Sequence, residues 1–397
     1  MSMTNTVSVA PPLESRSLSV AADVDAVSIP WTIWLAVVGV VTLTLGSIVD
    51  VAWHKSVGRD EFWTPGHTTM AIGGLLIGIA TWSEILATTR AVASRKREAS
   101  ARILGLRGPA GAFLATWGGM AMLASSPFDD WWHKAYGLDL KIITPPHLLL
   151  ILGWFAAQIG AILWMASMIN RTSGSLQQRL VRLFLIVAAI NVMFMPTLSF
   201  VTRKNLHTAI LYLTVALAFP AALIANGRAS RHKWGCTLVA GGYMAITIAS
   251  IWLLPLIPAQ PKTGPVYQNV THLIPPQFPL LLIVPGFVAD LLLQRLESRS
   301  SWMKALLIGP AFVLSLLAVQ WPFANFLMSP ASRNWIFGTA YLPYYALGGS
   351  GYDPYQFAVL EKTTGAFVTT MIAALVGAIL TTRFGLAWGD WMRRIRR

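Results

Sequence analysis

Two stretches decide how this chain is read: VDVAWHKSVGRDEFWTPGH, from Val49 to His67, and FDDWWHKAYGLDLKIITPPH, from Phe128 to His147. Aligned with one inserted residue, they share Asp, Trp-His-Lys, Gly, Asp, Thr-Pro and a closing His. Asp50 thereby matches Asp129, His54 matches His133 and His67 matches His147. Self-similarity of this kind marks a repeated structural unit, here a helical hairpin occurring twice. In each copy the Asp and the first His are four residues apart, so on a helix they lie on one face, one turn apart. Pro65 in the first copy, and Pro145 with Pro146 in the second, stand just before the closing His, and proline is favoured in the first turn of a helix. Each loop therefore returns its second imidazole to the first pair. Two imidazoles and one carboxylate are expected to meet at the tip of each hairpin.

Composition says where such hairpins sit. Of 397 residues, 55% are hydrophobic and only 12% charged, and the mean hydropathy is +0.58. A soluble domain carries roughly 25% charged residues, so the chain is read as a membrane protein. Its single cysteine, Cys236, excludes a disulfide framework, a cysteine-ligated zinc site and an iron–sulfur cluster. The first 29 residues are polar, with Glu14, Arg16, Asp23 and Asp25 and no continuous apolar core, so no cleavable signal peptide is expected. Ten apolar stretches near the bilayer-crossing length of about 20 residues follow, at 31–53, 67–88, 108–128, 147–169, 179–201, 206–226, 236–257, 277–294, 305–327 and 362–383. The expected architecture is all-α, a polytopic membrane helix bundle of about ten transmembrane helices containing the duplicated hairpin. Residues 1–30 are expected to form a cytoplasmic tail, 31–169 the hairpin region, and 170–397 further helices with a long outer loop near 328–361.

The net charge of +14 reads as a topology signal. Arg90 to Arg107, Arg171 to Arg182, Arg228 to Lys233, Arg295 to Lys304 and Arg383 to Arg397 fall in alternate connections and hold most of the 30 basic residues. The positive-inside tendency places those connections and both termini in the cytoplasm. The hairpin tips then face the extracytoplasmic side, with a bacterial inner membrane as the expected location. The basic segments are short and lie at membrane boundaries, so nucleic acid is not an expected partner.

Two histidines and a carboxylate leave coordination positions open for water, dioxygen or substrate, and imidazole with carboxylate suits copper, iron or zinc, copper binding tightest. Imidazole ligates as the neutral base, so such a site loses metal as the pH falls. The competing reading treats each Asp–His pair as an interfacial hydrogen bond and Trp53, Trp131 and Trp132 as an aromatic belt. Four of the seven histidines on equivalent positions of two copies favour the metal.

The pattern resembles the third, oxygen-activating membrane component of the copper membrane monooxygenases, the family of particulate methane monooxygenase and ammonia monooxygenase, over roughly residues 31–169. That component has an Asp, three residues, a His, twelve residues and a His, as at Asp50, His54 and His67. It then has an Asn, three residues, a His, thirteen residues and a His, aligned here with Asp129, His133 and His147. Arg59-Asp60, Thr64-Pro65, Trp131 and Gly153-Trp154 agree as well. The resemblance implies copper on the extracytoplasmic side, dioxygen-dependent hydroxylation of a small apolar substrate or ammonia, and other monooxygenase subunits as partners beside the lipid bilayer. This chain departs in three ways: Asp129 replaces an amide, about 230 residues follow the second hairpin, and the cupredoxin domains of the other family components are not supplied. The alternatives are a non-catalytic membrane copper carrier and a structural subunit.

Among the remaining candidates, His207 with Asn191 and Met195 resembles a diverged third hairpin, a soft site for Cu(I). His272 has no carboxylate near it, and His232 lies in a basic loop. Loop 328–361, with Trp335, Phe337, Tyr341, Tyr344, Tyr345, Tyr352 and Tyr355, is read as a cover over the hairpins or a docking surface. Glu84 and Asp290 lie close enough to Arg90 and Arg295 to reach the cytoplasmic boundary, which leaves few ionisable groups at mid-membrane depth and argues against an ion pump.

Overall fold

A computed structural model describes residues 28–58, 63–91, 100–137, 144–198, 207–262, 270–339, 341, 342, 344 and 363–396, without the side chains of 194–198. Among the described residues the chain is all-α apart from one short β-hairpin. The helices are α1 (Trp31–Ser56), α2 (Pro65–Arg90), α3 (Ala110–Tyr136), α4 (Pro145–Ile169), α5 (Gly174–Leu198), α6 (Ala209–Ala229), α7 (Gly235–Leu253), α8 (Ile283–Arg295), α9 (Ser301–Met328) and α10 (Thr364–Met392). Strands β1 (Ala101–Ile103) and β2 (Leu106–Gly108) pair antiparallel between α2 and α3.

Eight of these helices are long and apolar enough to cross a membrane, and their outward faces carry bare hydrophobics such as Trp31, Leu152 and Leu380. The chain is an integral membrane protein on this ground. Two of the ten expected spans differ. The α3 helix has the length, 27 residues, but its C-terminal half holds Ser125, Ser126, Asp129 and Asp130, which dilute its hydropathy. The α8 helix has only 13 residues, because Pro275, Pro276 and Pro279 keep the chain from 271 to 282 out of the helix. Proline lacks the amide N–H and disfavours a helical residue before it.

An extended backbone beside helices of this kind needs its N–H groups met by the protein itself. Side chains from three helices and the 344 turn do so: Ser56 Oγ accepts from Ile274 N–H at 2.7 Å, Tyr344 Oη from Phe278 N–H at 2.7 Å, Tyr243 Oη from Leu280 N–H at 3.2 Å and Gln320 Oε1 from Leu281 N–H at 3.0 Å.

Small residues set the helix spacing, as packing inside a membrane demands where no hydrophobic force draws helices together. A Cβ at Gly73 would lie 2.4 Å from Leu43 N, one at Gly39 2.9 Å from Ile77 N, one at Gly111 2.3 Å from Trp164 N and one at Gly118 2.3 Å from Ala157 N. The pairs run in opposite directions along the chain, so α1/α2 and α3/α4 are antiparallel hairpins in intimate contact. One buried core runs from Ile33 on α1 through Trp164, Phe184, Tyr212 and Phe312 to Met392 on α10. A neutral polar chain crosses it: Asn191 Nδ2 donates to Gln158 Oε1 at 3.1 Å, and Gln158 Nε2 to Thr44 Oγ1 at 3.5 Å, linking α5, α4 and α1.

The end of the bundle bearing Arg90 is tied by charge. Arg228 on α6 bonds Asp390 on α10, and Asn170 donates to Met392 O and Ile395 O at 2.7 and 2.8 Å. Buried Asp290 accepts from Cys236 N–H, Thr237 N–H and the Thr237 hydroxyl at 2.7 to 3.1 Å, so it caps the start of α7. Buried Glu84 accepts from the Thr32 hydroxyl at 3.2 Å. Both carboxylates thus have structural employment at helix ends.

Candidate metal centre

At the opposite end, α1 and α2 bring Asp50, His54 and His67 together. The Asp50 Oδ1 atom lies 3.5 Å from His54 Nε2 and 3.2 Å from His67 Nε2, and the two rings are 5.6 Å apart. One donor atom from each residue falls within 4.8 Å of the others, so a single point is within reach of all three. The α2 start is fixed locally: Pro65 occupies the first turn, and Thr64 accepts from His67 N–H at 3.1 Å as N-cap. Gly66 does the rest. A Cβ there would lie 2.5 Å from Asp50 Cα and Cβ, so only glycine lets the head of α2 rest against the carboxylate-bearing turn of α1.

The second hairpin gathers Asp129, His133 and His147 with the same roles and a wider spacing. Asp129 Oδ2 is 3.5 Å from His133 Nε2, Asp129 Oδ1 is 3.8 Å from His147 Nε2, and the rings are 6.4 Å apart. Among the described residues only the first trio closes within 4.8 Å. Two local differences account for this. Pro146 stands where the first hairpin has Gly66, so the second cannot close as tightly. Thr144 also turns its hydroxyl from the backbone to His147 Nδ1, at 2.9 Å, leaving α4 without a side-chain cap. Neighbouring Asp130 points elsewhere, to Lys134 Nζ at 2.6 Å.

The donor set has the character of a cation site. His133 Nδ1 lies 3.2 Å from the carbonyl oxygen of Gly137, which can only accept, so Nδ1 donates there and Nε2 is the nitrogen turned toward Asp129. Nε2 and the carboxylate oxygen, 3.5 Å apart, have room to share a proton or a cation between them. Gly137 takes the position with φ +84°, which a residue with a Cβ rarely adopts, and Gly58, its match, has φ +107°. Asp50 Oδ1 and Asp129 Oδ1 are buried and have no hydrogen-bond partner among the described residues, since the imidazoles approach them without hydrogen-bond alignment. Asp129 is only 6% exposed, and a carboxylate so placed calls for a positive partner.

The packing of α2 on α3 adds a feature outside the reach of either motif. The trios open onto one crevice of about 30 Å³, lined by His67 and Met70 from the first hairpin and Met122, Ser125, Asp129 and His147 from the second. It has room for a water molecule or two. Around the second tip, Phe128, Trp131, Trp132 and Tyr136 form an aromatic cluster with rings 4.5 to 6.4 Å apart, the kind of belt found at membrane interfaces.

The other candidates fall elsewhere. His207, just before α6, bonds Asn325 Oδ1 through Nε2 at 2.8 Å, edge-on to Trp321, and burial pulls its pKa below the ordinary imidazole value. Asn191 is engaged with Gln158 instead, and the Met195 side chain lies outside the described residues. His272 meets the Thr271 hydroxyl at 2.7 Å, and His232 accepts from Trp234 N–H at 3.1 Å within its own turn. In loop 328–361, Trp335 packs on Trp252, Phe337 on Phe278, and Tyr344 is buried under the 271–282 segment. The described part of that loop therefore covers the α7 to α9 side, and Tyr345, Tyr352 and Tyr355 lie outside the described residues, as do Arg59 and Asp60. Compared with known protein families, with curated proteins and with solved structures, the chain matches none.

Proposed function

We propose that the chain is a copper-binding membrane protein and the oxygen-activating component of a dioxygen-dependent monooxygenase acting on a small apolar substrate or ammonia. Asp50, His54 and His67 hold one ion, and Asp129, His133 and His147 a second. The observation that carries this is the Asp50 trio, whose three donor atoms lie within 4.8 Å of one another beside a buried carboxylate oxygen. Copper at such a site supplies one-electron redox chemistry toward dioxygen at its open positions.

The protein's own groups do the rest. Each carboxylate offsets cationic charge in a site largely sheltered from water. Gly137 O and Thr144 Oγ1 orient the imidazoles of the second site, the outer-shell support that ligating histidines ordinarily receive. The crevice between the trios admits only small molecules, and Met70, Met122 and Leu150 give it apolar walls. Both trios lie at the end of the helices away from Arg90, Arg228 and Arg393, which supports cytoplasmic termini and an extracytoplasmic centre. The Met70 and Met122 thioethers between the trios favour a second reading, a carrier passing Cu(I) along soft ligands.

Metal analysis of purified protein, with His67→Ala and His147→Ala beside the parent, tests both readings. Two copper ions per chain, one lost in each variant, is the expected result. A parent protein that takes up no copper, iron or zinc removes both readings. Copper that binds without any dioxygen consumption, given a reductant and partner subunits, decides for the carrier.

A further inference from the structure

The α1 helix has a second functional face. Behind the Asp50 trio, a cavity of about 120 Å³ lies between α1, α7, α9 and the extended segment 271–282. Non-helical backbone among membrane helices is found where it is packed in protein or lines a cavity, and broken spans are where such proteins build binding sites. Here the break is maintained by side chains committed to it, and that commitment fixes what the cavity can recognise.

The hydrogen-bond inventory of the walls decides the ligand class. Tyr243 Oη and Gln320 Oε1 use an acceptor site on Leu280 N–H and Leu281 N–H. The phenol proton of Tyr243 and the amide NH2 of Gln320 then remain as donors. Thr247 Oγ1 donates to Tyr243 O at 2.9 Å, and Ser47 Oγ to Thr44 O at 2.8 Å, so these two hydroxyls turn acceptor lone pairs to the cavity. Tyr243 and Gln320 are 3% and 2% exposed, and no carboxylate lines the space among the described residues. Ile48, Val51, Met193, Phe278 and Leu327 make the rest of the wall largely apolar, with Lys55, Gln277 and Tyr344 also lining it.

From two buried donors, two acceptors and a largely apolar wall at a broken span, we infer that this cavity binds an amphiphile whose hydroxyl-bearing head both donates and accepts hydrogen bonds, the class to which hydroquinones belong. The inference stands apart from the metal reading, since none of these residues belongs to either trio.

Binding to the full-length protein in detergent tests it, with a short-tailed alkyl hydroquinone, its dimethyl ether and the parent alkylbenzene as probes. The hydroquinone is expected to bind at least about tenfold more tightly than the ether, which has lost both donors, and the alkylbenzene more weakly still. Gln320→Glu keeps the acceptor for Leu281 N–H and replaces the donor by an acceptor; Thr247→Val removes one acceptor at nearly constant volume. Each should weaken hydroquinone binding by about tenfold, the scale of one hydrogen bond in a buried site. Protein carrying His67→Ala and His147→Ala should bind the hydroquinone unchanged, which separates this result from the fate of the copper. Equal affinity for hydroquinone and ether, unaltered binding in both cavity variants, or no binding of any probe overturns the proposal.

Discussion

Replacing Gly66 by alanine tests whether the two proposed metal sites owe their difference to the contact between α2 and α1. The new Cβ would lie 2.5 Å from Asp50 Cα and Cβ, whereas carbon atoms in contact sit about 3.5 to 4.0 Å apart. The first turn of α2 must therefore retreat from α1 by about 1 Å or more, and the obstruction is backbone, which cannot rotate aside. Metal–ligand distances of about 2.0 to 2.2 Å tolerate errors of about 0.2 Å, so such a retreat exceeds the tolerance severalfold. His67 would move away from Asp50, against which it now sits at 3.2 Å, toward the looser geometry of the second hairpin. The fold should survive at a cost of about 1 to 3 kcal/mol, the range for overpacking. Copper retained after equilibrium dialysis should fall from two equivalents per chain to one. Gly78→Ala, on the same helix with nothing within 4 Å of the new methyl, should keep both. A Gly66→Ala protein that melts near the parent and retains two equivalents at unchanged affinity would refute the reasoning.

Thr144→Val deletes the hydroxyl that meets His147 Nδ1, and copper affinity of the second site alone should drop by about 10- to 100-fold, the usual effect of losing an outer-shell partner; a titration resolving the two sites reads it. Gln158→Leu breaks the polar link among α1, α4 and α5 and leaves Asn191 without its acceptor. A destabilisation of about 0.6 to 2 kcal/mol, the scale of interhelical hydrogen bonds in membranes, is expected in detergent unfolding, with copper content intact. Acid stability follows from His207, whose folded pKa burial lowers from the ordinary imidazole value of 6.5. The neutral ring is the form the fold favours, so its contribution is complete above about 6.5 and is lost as the pH falls through the lowered folded value. The melting temperature should hold from about pH 8 to about pH 6.5 and decline below it, more shallowly in His207→Gln.

Much of this is legible in the amino-acid sequence, for identifiable reasons. Apolar length finds a membrane helix, and each of the ten helices overlaps a stretch marked by hydropathy. Asp50 with His54 and Asp129 with His133 are readable because four residues make one turn, and His67 and His147 because proline marks the start of the returning helix. Hydropathy fails at 277–294, where Pro275, Pro276 and Pro279 matter more than apolar content: three residues without an amide proton within five positions keep a helix from starting, whereas single prolines such as Pro310 and Pro322 are carried inside α9. The unequal tightness of the two trios is not legible, since Gly66 against Pro146 acquires meaning only once Asp50 is known to lie under it. The shared crevice is hidden too, because it depends on how α2 meets α3, two helices whose contact no motif encodes. Residues with local partners betray themselves in sequence; residues with distant ones, such as Tyr243 holding Leu280, do not.

The crevice of about 30 Å³ has a consequence for counting. Its walls take His67 from one trio and His147 from the other, and its size offers a single berth. Whatever small molecule settles there neighbours both sites at once, so the chain offers one shared position where two motifs suggest two. A ligand such as azide or carbon monoxide should then saturate at one equivalent per chain, and its first occupant should set the terms for both ions.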